Sequence, residues 1–244
     1  ETRWQFNPQR QSRVELTTFL AHWTRRIGNW ANPIQQATFN LTNSNSGNNS
    51  ANGISLAVSG NYLYLGRAQS GGREFYIFNI ANPSAPQIVG QRNLNGNPND
   101  IVIRGNYAYI ASTNDAQELQ ILDISNPALI AQPSRLTSVN LTNQNSGSNN
   151  ADAIRLDQFG NYLVMVRRGG DEFLIFNLTN PANPGNPVGR SPGLTNTPND
   201  LIVSGIYAYV ATSDDVAELQ IMNIATPTAP FRTATFNLNS GSQG

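Results

Sequence analysis

Four glutamates, Glu74, Glu118, Glu172 and Glu218, each stand just ahead of a short apolar run, behind turns such as Thr113-Asn114-Asp115 and Ser213-Asp214-Asp215. Loop carboxylates can hold Ca²⁺, which takes about six to eight oxygen ligands. Glu118 and Glu218, with acidic turns before them, are the candidate metal ligands. A glutamate repeated four times in one place can equally accept hydrogen bonds from its own hairpin or from a neighbouring repeat. No DxDxDG-type loop is present. Asp100, Asp152 and Asp200, with Asn52 as the first copy's counterpart, precede a second kind of apolar run. Their oxygens could line a cation or polar-ligand site, or bond backbone N–H groups at a turn. Arg67, Arg167 and Arg168, with Arg155, could form an anion site or stand as solvated loop arginines.

Catalytic combinations are harder to assemble. His22 is the only histidine, and no G-x-S-x-G sequence offers a serine for it to activate. Cysteine is absent, which removes thiolate nucleophiles, thiolate metal sites and disulfides. All 15 basic residues are arginine, so lysine Schiff bases, a P-loop lysine and Lys–Asn isopeptide cross-links are excluded. The expectation is a protein with no catalytic residues, not an enzyme, and without a cofactor; Ca²⁺ is the one ion its carboxylates could hold. Tyr62, Tyr64, Tyr107, Tyr109, Tyr162, Tyr207 and Tyr209 could stack on sugars, but their alternation makes them packing residues first. Asn40, Asn48, Asn140 and Asn177 match N-x-S/T sequons, a pattern that Asn-rich loops also generate by chance.

The 244 residues carry zero net charge, and only 12% are charged. That balance lacks the basic footprint of a nucleic-acid binder and the basic stretch that steers proteins to anionic lipid. No apolar run reaches the roughly 18 residues of a membrane span. The sequence opens at Glu1 without a leader pattern, so membrane attachment is expected only through an anchor upstream of Glu1. Polarity comes from Asn, Ser, Thr, Gln and Gly, which suits an exposed extracellular surface.

The elements that must position these residues repeat. Asn40-Leu41-Thr42 recurs as Asn140-Leu141-Thr142, and Pro98-Asn99-Asp100 as Pro198-Asn199-Asp200, an offset of 100. Turn glycines Gly60, Gly105, Gly160 and Gly205 split each half again. Each of the four units reads as four strands. The first is Ile54–Ser59, Ile101–Arg104, Ile154–Gln158 or Leu201–Ser204. The second is Tyr62–Gly66, Tyr107–Ala111, Tyr162–Val166 or Tyr207–Ala211. The third is Phe75–Ile80, Leu119–Ile124, Phe173–Leu178 or Leu219–Ile224, stopped by Pro83, Pro127, Pro181 or Pro227. A variable fourth follows, such as Gln87–Leu94 or Phe231–Leu238. The first and third units carry insertions, Asn43–Asn49 and Asn143–Asn150, expected as surface loops. The expected fold is all-β, a β-propeller of four-stranded blades built as a duplicated pair with a 100-residue period. Gln36–Thr42 closely copies Thr233–Asn239, so one outer strand is surplus. One of the two is expected to complete the closing blade, and the other to pair at an edge or with a neighbouring subunit.

Ahead of the repeats, Leu16, Phe19, Leu20, Trp23, Ile27 and Trp30 recur near the helical period, predicting an amphipathic helix over Val14–Trp30 that Asn32-Pro33 ends. The expected division is a helical segment over 1–33 and a propeller over 34–244. The helix either caps the propeller or resembles the outer half of a pilin-like N-terminal stalk.

Gly-Asn-Tyr-Ala-Tyr-Ile-Ala (105–111) followed by Leu-Gln-Ile-Leu-Asp-Ile-Ser-Asn-Pro (119–127) resembles the LVIVD repeat of bacterial and archaeal cell-surface proteins. The first and third units depart by opening their third strand with Phe75 and Phe173. The resemblance implies a propeller, a cell-surface location and a display or interaction role, and brings no catalytic residues. The expected function is therefore a non-catalytic surface structural or interaction protein, such as the outer domain of a pilin-like or filament-associated subunit. Its partners would be other surface or filament subunits. The alternative is an extracellular adhesin or carbohydrate-binding module that takes glycans at the propeller face.

Overall fold

The computed structural model describes residues 3–7, 10–13, 35–41, 52–127, 135–141 and 152–238. The expected helix Val14–Trp30, His22 upon it, and both Asn-rich insertions lie outside the described residues. The chain divides into two compact units, Glu1–Thr38 and Phe39–Gly244. In the first, β1 (Arg3–Asn7) and β2 (Arg10–Arg13) pair as an antiparallel hairpin. This hairpin, ahead of the expected helix Val14–Trp30, was not anticipated from the sequence. Polar and apolar residues alternate through Arg3-Trp4-Gln5-Phe6-Asn7 with the period of a strand.

The second unit holds four four-stranded antiparallel sheets, each built from consecutive strands. The first sheet is β3 (Gly53–Ser59), β4 (Tyr62–Arg67), β5 (Phe75–Asn79) and β6 (Gln87–Arg92). The second is β7 (Pro98–Arg104), β8 (Tyr107–Ser112), β9 (Leu119–Asp123) and β10 (Arg135–Val139). The third is β11 (Ala153–Phe159), β12 (Tyr162–Arg167), β13 (Phe173–Asn177) and β14 (Gly189–Ser191). The fourth is β15 (Pro198–Ser204), β16 (Tyr207–Thr212), β17 (Leu219–Asn223) and β18 (Phe231–Phe236). The first hairpin of every sheet turns on a glycine at positive φ, such as Gly60 at 57°, heading a two-residue loop between paired residues. That is the backbone a right-twisted hairpin needs.

Several strand boundaries differ from expectation, two of them with a local cause. The third strand ends one residue earlier than its apolar run, because Asn79, Asp123, Asn177 and Asn223 each accept a hydrogen bond from the amide two residues on. Such side-chain turns stop the strand before the proline is reached. In the even-numbered sheets the first strand begins earlier, at Pro98 and Pro198, with a bulge before Asp100 and Asp200. Proline is tolerated at a strand's first residue.

Apolar side chains of adjacent sheets form three clusters. One joins the first and second sheets through Phe75, Ile77, Ile110 and Leu122, among others. Another joins the second and third through Tyr109, Leu119, Ile121, Met165 and Phe176. The last joins the third and fourth through Val164, Phe173, Val210 and Met222. The innermost strands β3, β7, β11 and β15 accordingly lie side by side in that order. No such cluster joins the fourth sheet to the first among the described residues. β18 supplies the outer strand of the fourth sheet, with Phe236 opposite Leu219. Residues 35–41 belong to no strand, so Gln36–Thr42 does not make the expected edge pairing within the chain. The first sheet already has β6 in its outer place, and Phe39 instead meets Phe78 edge to face at 5.1 Å.

Candidate functional site

The innermost strands gather three of the residues singled out above, Asp100, Arg155 and Asp200. At the bulge of β7, Asp100 Oδ1 accepts from its neighbour Ile101 N at 2.9 Å, while Oδ2 accepts from Leu156 N of the third sheet at 2.8 Å. Burial pushes this carboxyl above the usual aspartate range, and the two amides and Arg155 pull it partly back. One sheet further on, Asp157 Oδ2 accepts from Val203 N at 2.6 Å. Arg155 lies between, donating from Nε to Asp200 Oδ1 at 3.2 Å and from Nη1 to Asn99 O at 3.2 Å. Asn99 Nδ2 donates in return to Ala153 O at 2.7 Å. Asp100, Arg155 and Asp200 thus fall in one belt whose bonds stitch sheet to sheet. Asp200 is the least enclosed of the three, its side chain 71% exposed.

The remaining candidates lie elsewhere. Asp152 pairs with Arg168 at 3.6 Å, and burial raises its carboxyl pKa. Arg167 is fully buried, donating to Asp171 O at 2.9 Å and to Leu141 O of the second sheet at 3.0 Å. Desolvation lowers its pKa, with Asp171 and Glu118 opposing. Arg67 reaches Arg73 O and Ser70 Oγ. Both guanidinium groups therefore tie down main chain and loop, the work of a positioning residue. Glu118 Oε2 accepts from Leu141 N at 2.8 Å, Glu218 Oε2 from Leu238 N at 2.9 Å, and Glu74 Oε2 from Leu94 N at 2.7 Å. Each glutamate anchors the chain just after its sheet's outer strand. Among the described residues no group of three or more His, Asp or Glu side chains could hold a metal ion.

Two features escaped the sequence reading. Gln120 and Gln220, in the middle of apolar third strands, are fully buried, and their amides donate back to Leu94 O and Thr195 O at 3.0 and 2.9 Å. A lone polar residue within Leu119-Gln120-Ile121 was the available signal. Tyr109 Oη donates to Pro181 O of the third sheet at 2.8 Å, and burial raises its phenol pKa to about 12. A shallow recess of about 130 Å³ lies on the outward face of the fourth sheet, lined by Asp200, Leu201, Ile202, Tyr209, Ala211 and Leu219. It is smaller than the ~300–1,000 Å³ of ordinary small-molecule sites. No helix among the described residues is long and apolar enough to cross a membrane.

The LVIVD repeat model matches residues 52–93, 95–136 and 197–237, which is half of the chain. The third sheet, folded like the others, is not among the matched residues. No curated protein matches at the level of sequence. Among solved structures, a periplasmic gluconolactonase of Pseudomonas aeruginosa is 14% identical with a TM-score of 0.57, covering 78% of this chain and 59% of its own. A putative 6-phosphogluconolactonase of Bacteroides uniformis is 16% identical with a TM-score of 0.58, covering 77% and 56%. The β-propeller domain of Cps50 (Swd1) from Myceliophteria thermophila is 13% identical with a TM-score of 0.56, covering 76% and 58%. The chain thus spans rather more than half the length of each. At these identities the likeness shows the fold, a propeller-like set of four-stranded sheets. It also corrects one expectation: the same architecture serves proteins named as lactonases, so the reading of this chain as not an enzyme does not stand.

Proposed function

The chain belongs to the LVIVD repeat family, and from that premise we propose that it is a surface-displayed propeller that works by binding other protein subunits at its end blades. The observation that carries this reading is where the exposed apolar side chains lie. Leu56 and Val58 stand exposed on β3, and Ile202, Phe231, Phe236 and Leu238 on or just beyond strands of the fourth sheet. Scattered exposed hydrophobics need no explanation, but a contiguous set on a sheet face marks a contact surface. The inner belt of Asp100, Arg155 and Asp157 is engaged in bonds between sheets, which favours scaffolding over ligand capture there.

The experiment is protease shaving and antibody labelling of intact cells carrying the chain in its natural context. Labelling of intact cells is expected, and labelling only after lysis would sink the surface reading. A second reading has its own observation. The recess beside Asp200 sets a carboxylate next to the Tyr209 ring, a pairing suited to a sugar. A glycan array tests it, with binding lost in Tyr209→Ala. Hydrolysis of gluconolactone and 6-phosphogluconolactone belongs in the same set of assays. Turnover well above the spontaneous rate would place the chain with its lactonase-named neighbours.

A further inference from the structure

The two end faces are copies of two faces that already meet inside the molecule. At the seam of the second and third sheets, Tyr109, Ala111, Leu119, Ile121 and Leu141 pack against Leu156, Leu163, Met165, Leu174 and Phe176. The fourth sheet repeats the first set, with Tyr209, Ala211, Leu219 and Ile221 on the face bearing Ile202, and with Leu238 beyond β18. The first sheet repeats the second set, Leu56, Leu63, Leu65, Tyr76 and Phe78 sharing one face through their cross-strand pairs. Burial separates copy from original at the inner strand of the first sheet and beyond β18, while Tyr76 and Phe78, at 0% and 3% exposed, are as enclosed as Leu174 and Phe176. Leu156 is 4% exposed but Leu56 62%, and Leu141 is 0% exposed but Leu238 77%.

Polar partners repeat as well. Asp100 Oδ2 accepts Leu156 N across the seam, and Tyr109 Oη donates to Pro181 O. Their counterparts Asp200 and Tyr209 lie on the outward fourth face, and Leu56 and Pro83 are the counterparts of the receiving residues. Among the described residues no backbone amide donates to Asp200 Oδ2. The seam is not copied everywhere, because Arg104, which bonds Gly160 O and Asn161 Oδ1, is replaced by Ser204.

We infer that the fourth sheet docks on the first sheet of a second copy of this chain, re-forming the seam seen between the second and third sheets, and that two copies close head to tail into a ring of eight blades. The occupant follows from the internal template, since the 100-residue duplication makes fourth-on-first the same junction as second-on-third. A junction of two different faces closes or runs on as a filament. Propellers span about four to eight blades, so closure at two copies fits that range and three copies would exceed it. Asp200 of one copy then accepts Leu56 N of the other, and Tyr209 reaches Pro83 O. One place is contested. Phe39 lies on Phe78 where Phe236 or Leu238 of the incoming sheet would come, within a Thr-Phe-Asn-Leu sequence common to both segments. One of the two segments gives way on docking, and the inner strands carry the junction in either case.

This inference deepens the interaction reading by naming the partner, and its test is separate from surface labelling. Sedimentation and native mass spectrometry of the full chain at micromolar concentration should show a species of twice the chain mass. Ile202→Glu and Leu56→Glu, each placing a charge on one of the two faces, should each weaken it by about a hundredfold or more, leaving the monomer's melting temperature unchanged. If Leu56→Glu does not fold, Val58→Glu probes the same face. An equimolar mixture of the two variants restores one sound junction, so a heterodimer should appear where neither variant pairs with itself. Persistence of the dimer in Leu56→Glu would mean fourth-on-fourth pairing and overturn the head-to-tail junction. A monomer at every concentration would overturn the second copy as occupant while leaving surface display standing. An open series of higher oligomers would overturn closure at two.

Discussion

The seam between the second and third sheets and the outward face of the fourth are written in nearly the same residues. In the seam Tyr109, Ala111, Leu119 and Ile121 are fully buried, whereas Tyr209, Leu219 and Ile221 are half-buried and Ala211 is exposed. Burial is thus a property of the neighbour, and the energetic worth of a side chain moves with it. The same holds for polar groups. Asp100 is enclosed with two amides on it, while Asp200 shares the Arg155 guanidinium with solvent. Equivalent substitutions on the two sides should differ in proportion, provided stability is measured at concentrations too low for copies to associate.

The largest difference is expected between Leu141→Ala and Leu238→Ala. The first empties a packed site and should cost about 2–4 kcal/mol in urea melts, while the second should stay within about 0.5 kcal/mol. Equal losses would mean that Leu238 is covered in the monomer. Next comes Glu118→Ala, which strands the Leu141 amide and should lower stability by about 1–3 kcal/mol. Glu218→Ala, whose partner amide is exposed, should cost less. If Ca²⁺ raised the melting temperature of the natural protein but not of Glu118→Ala, a metal role would replace the hydrogen-bonding one. Tyr109→Phe should cost about 1 kcal/mol by leaving Pro181 O without its donor, and Tyr209→Phe close to nothing.

The smallest effect is one of pH. Because burial holds the Asp100 carboxyl above its unfolded value, the native state takes up that proton at a higher pH than the unfolded chain does. Stability from this group therefore rises as pH falls through the raised pKa, and is lost again as pH climbs back. Asp100→Asn, which keeps an oxygen for the Leu156 amide, should flatten that slope across the mildly acidic range.

Much of the fold was legible because strand alternation, turn glycines and the repeat offset all agree on the same four units. What escaped were features set by partners distant in sequence. Asp100 and Asp157 look like turn or ligand residues until the amides of Leu156 and Val203 arrive from the next sheet. Arg167 looks like a loop cation until Leu141 O is seen above it. β14 is only three residues long, too short to carry a periodic signal. The β1–β2 hairpin has strands of only five and four residues, too short for a firm alternation signal. Nothing local distinguishes Leu56 from Leu156, so which apolar faces stay open could not be read from their residues.

Each sheet takes all four of its strands from one contiguous stretch, and among the described residues no strand is exchanged between the first sheet and the fourth. A ring fastened by a shared strand resists pulling until its clasp breaks. This chain has no such clasp among its described strands, so tension along it should be taken up one sheet at a time. Stretched in an optical trap, a single copy should yield in separate steps of similar length, sheet by sheet.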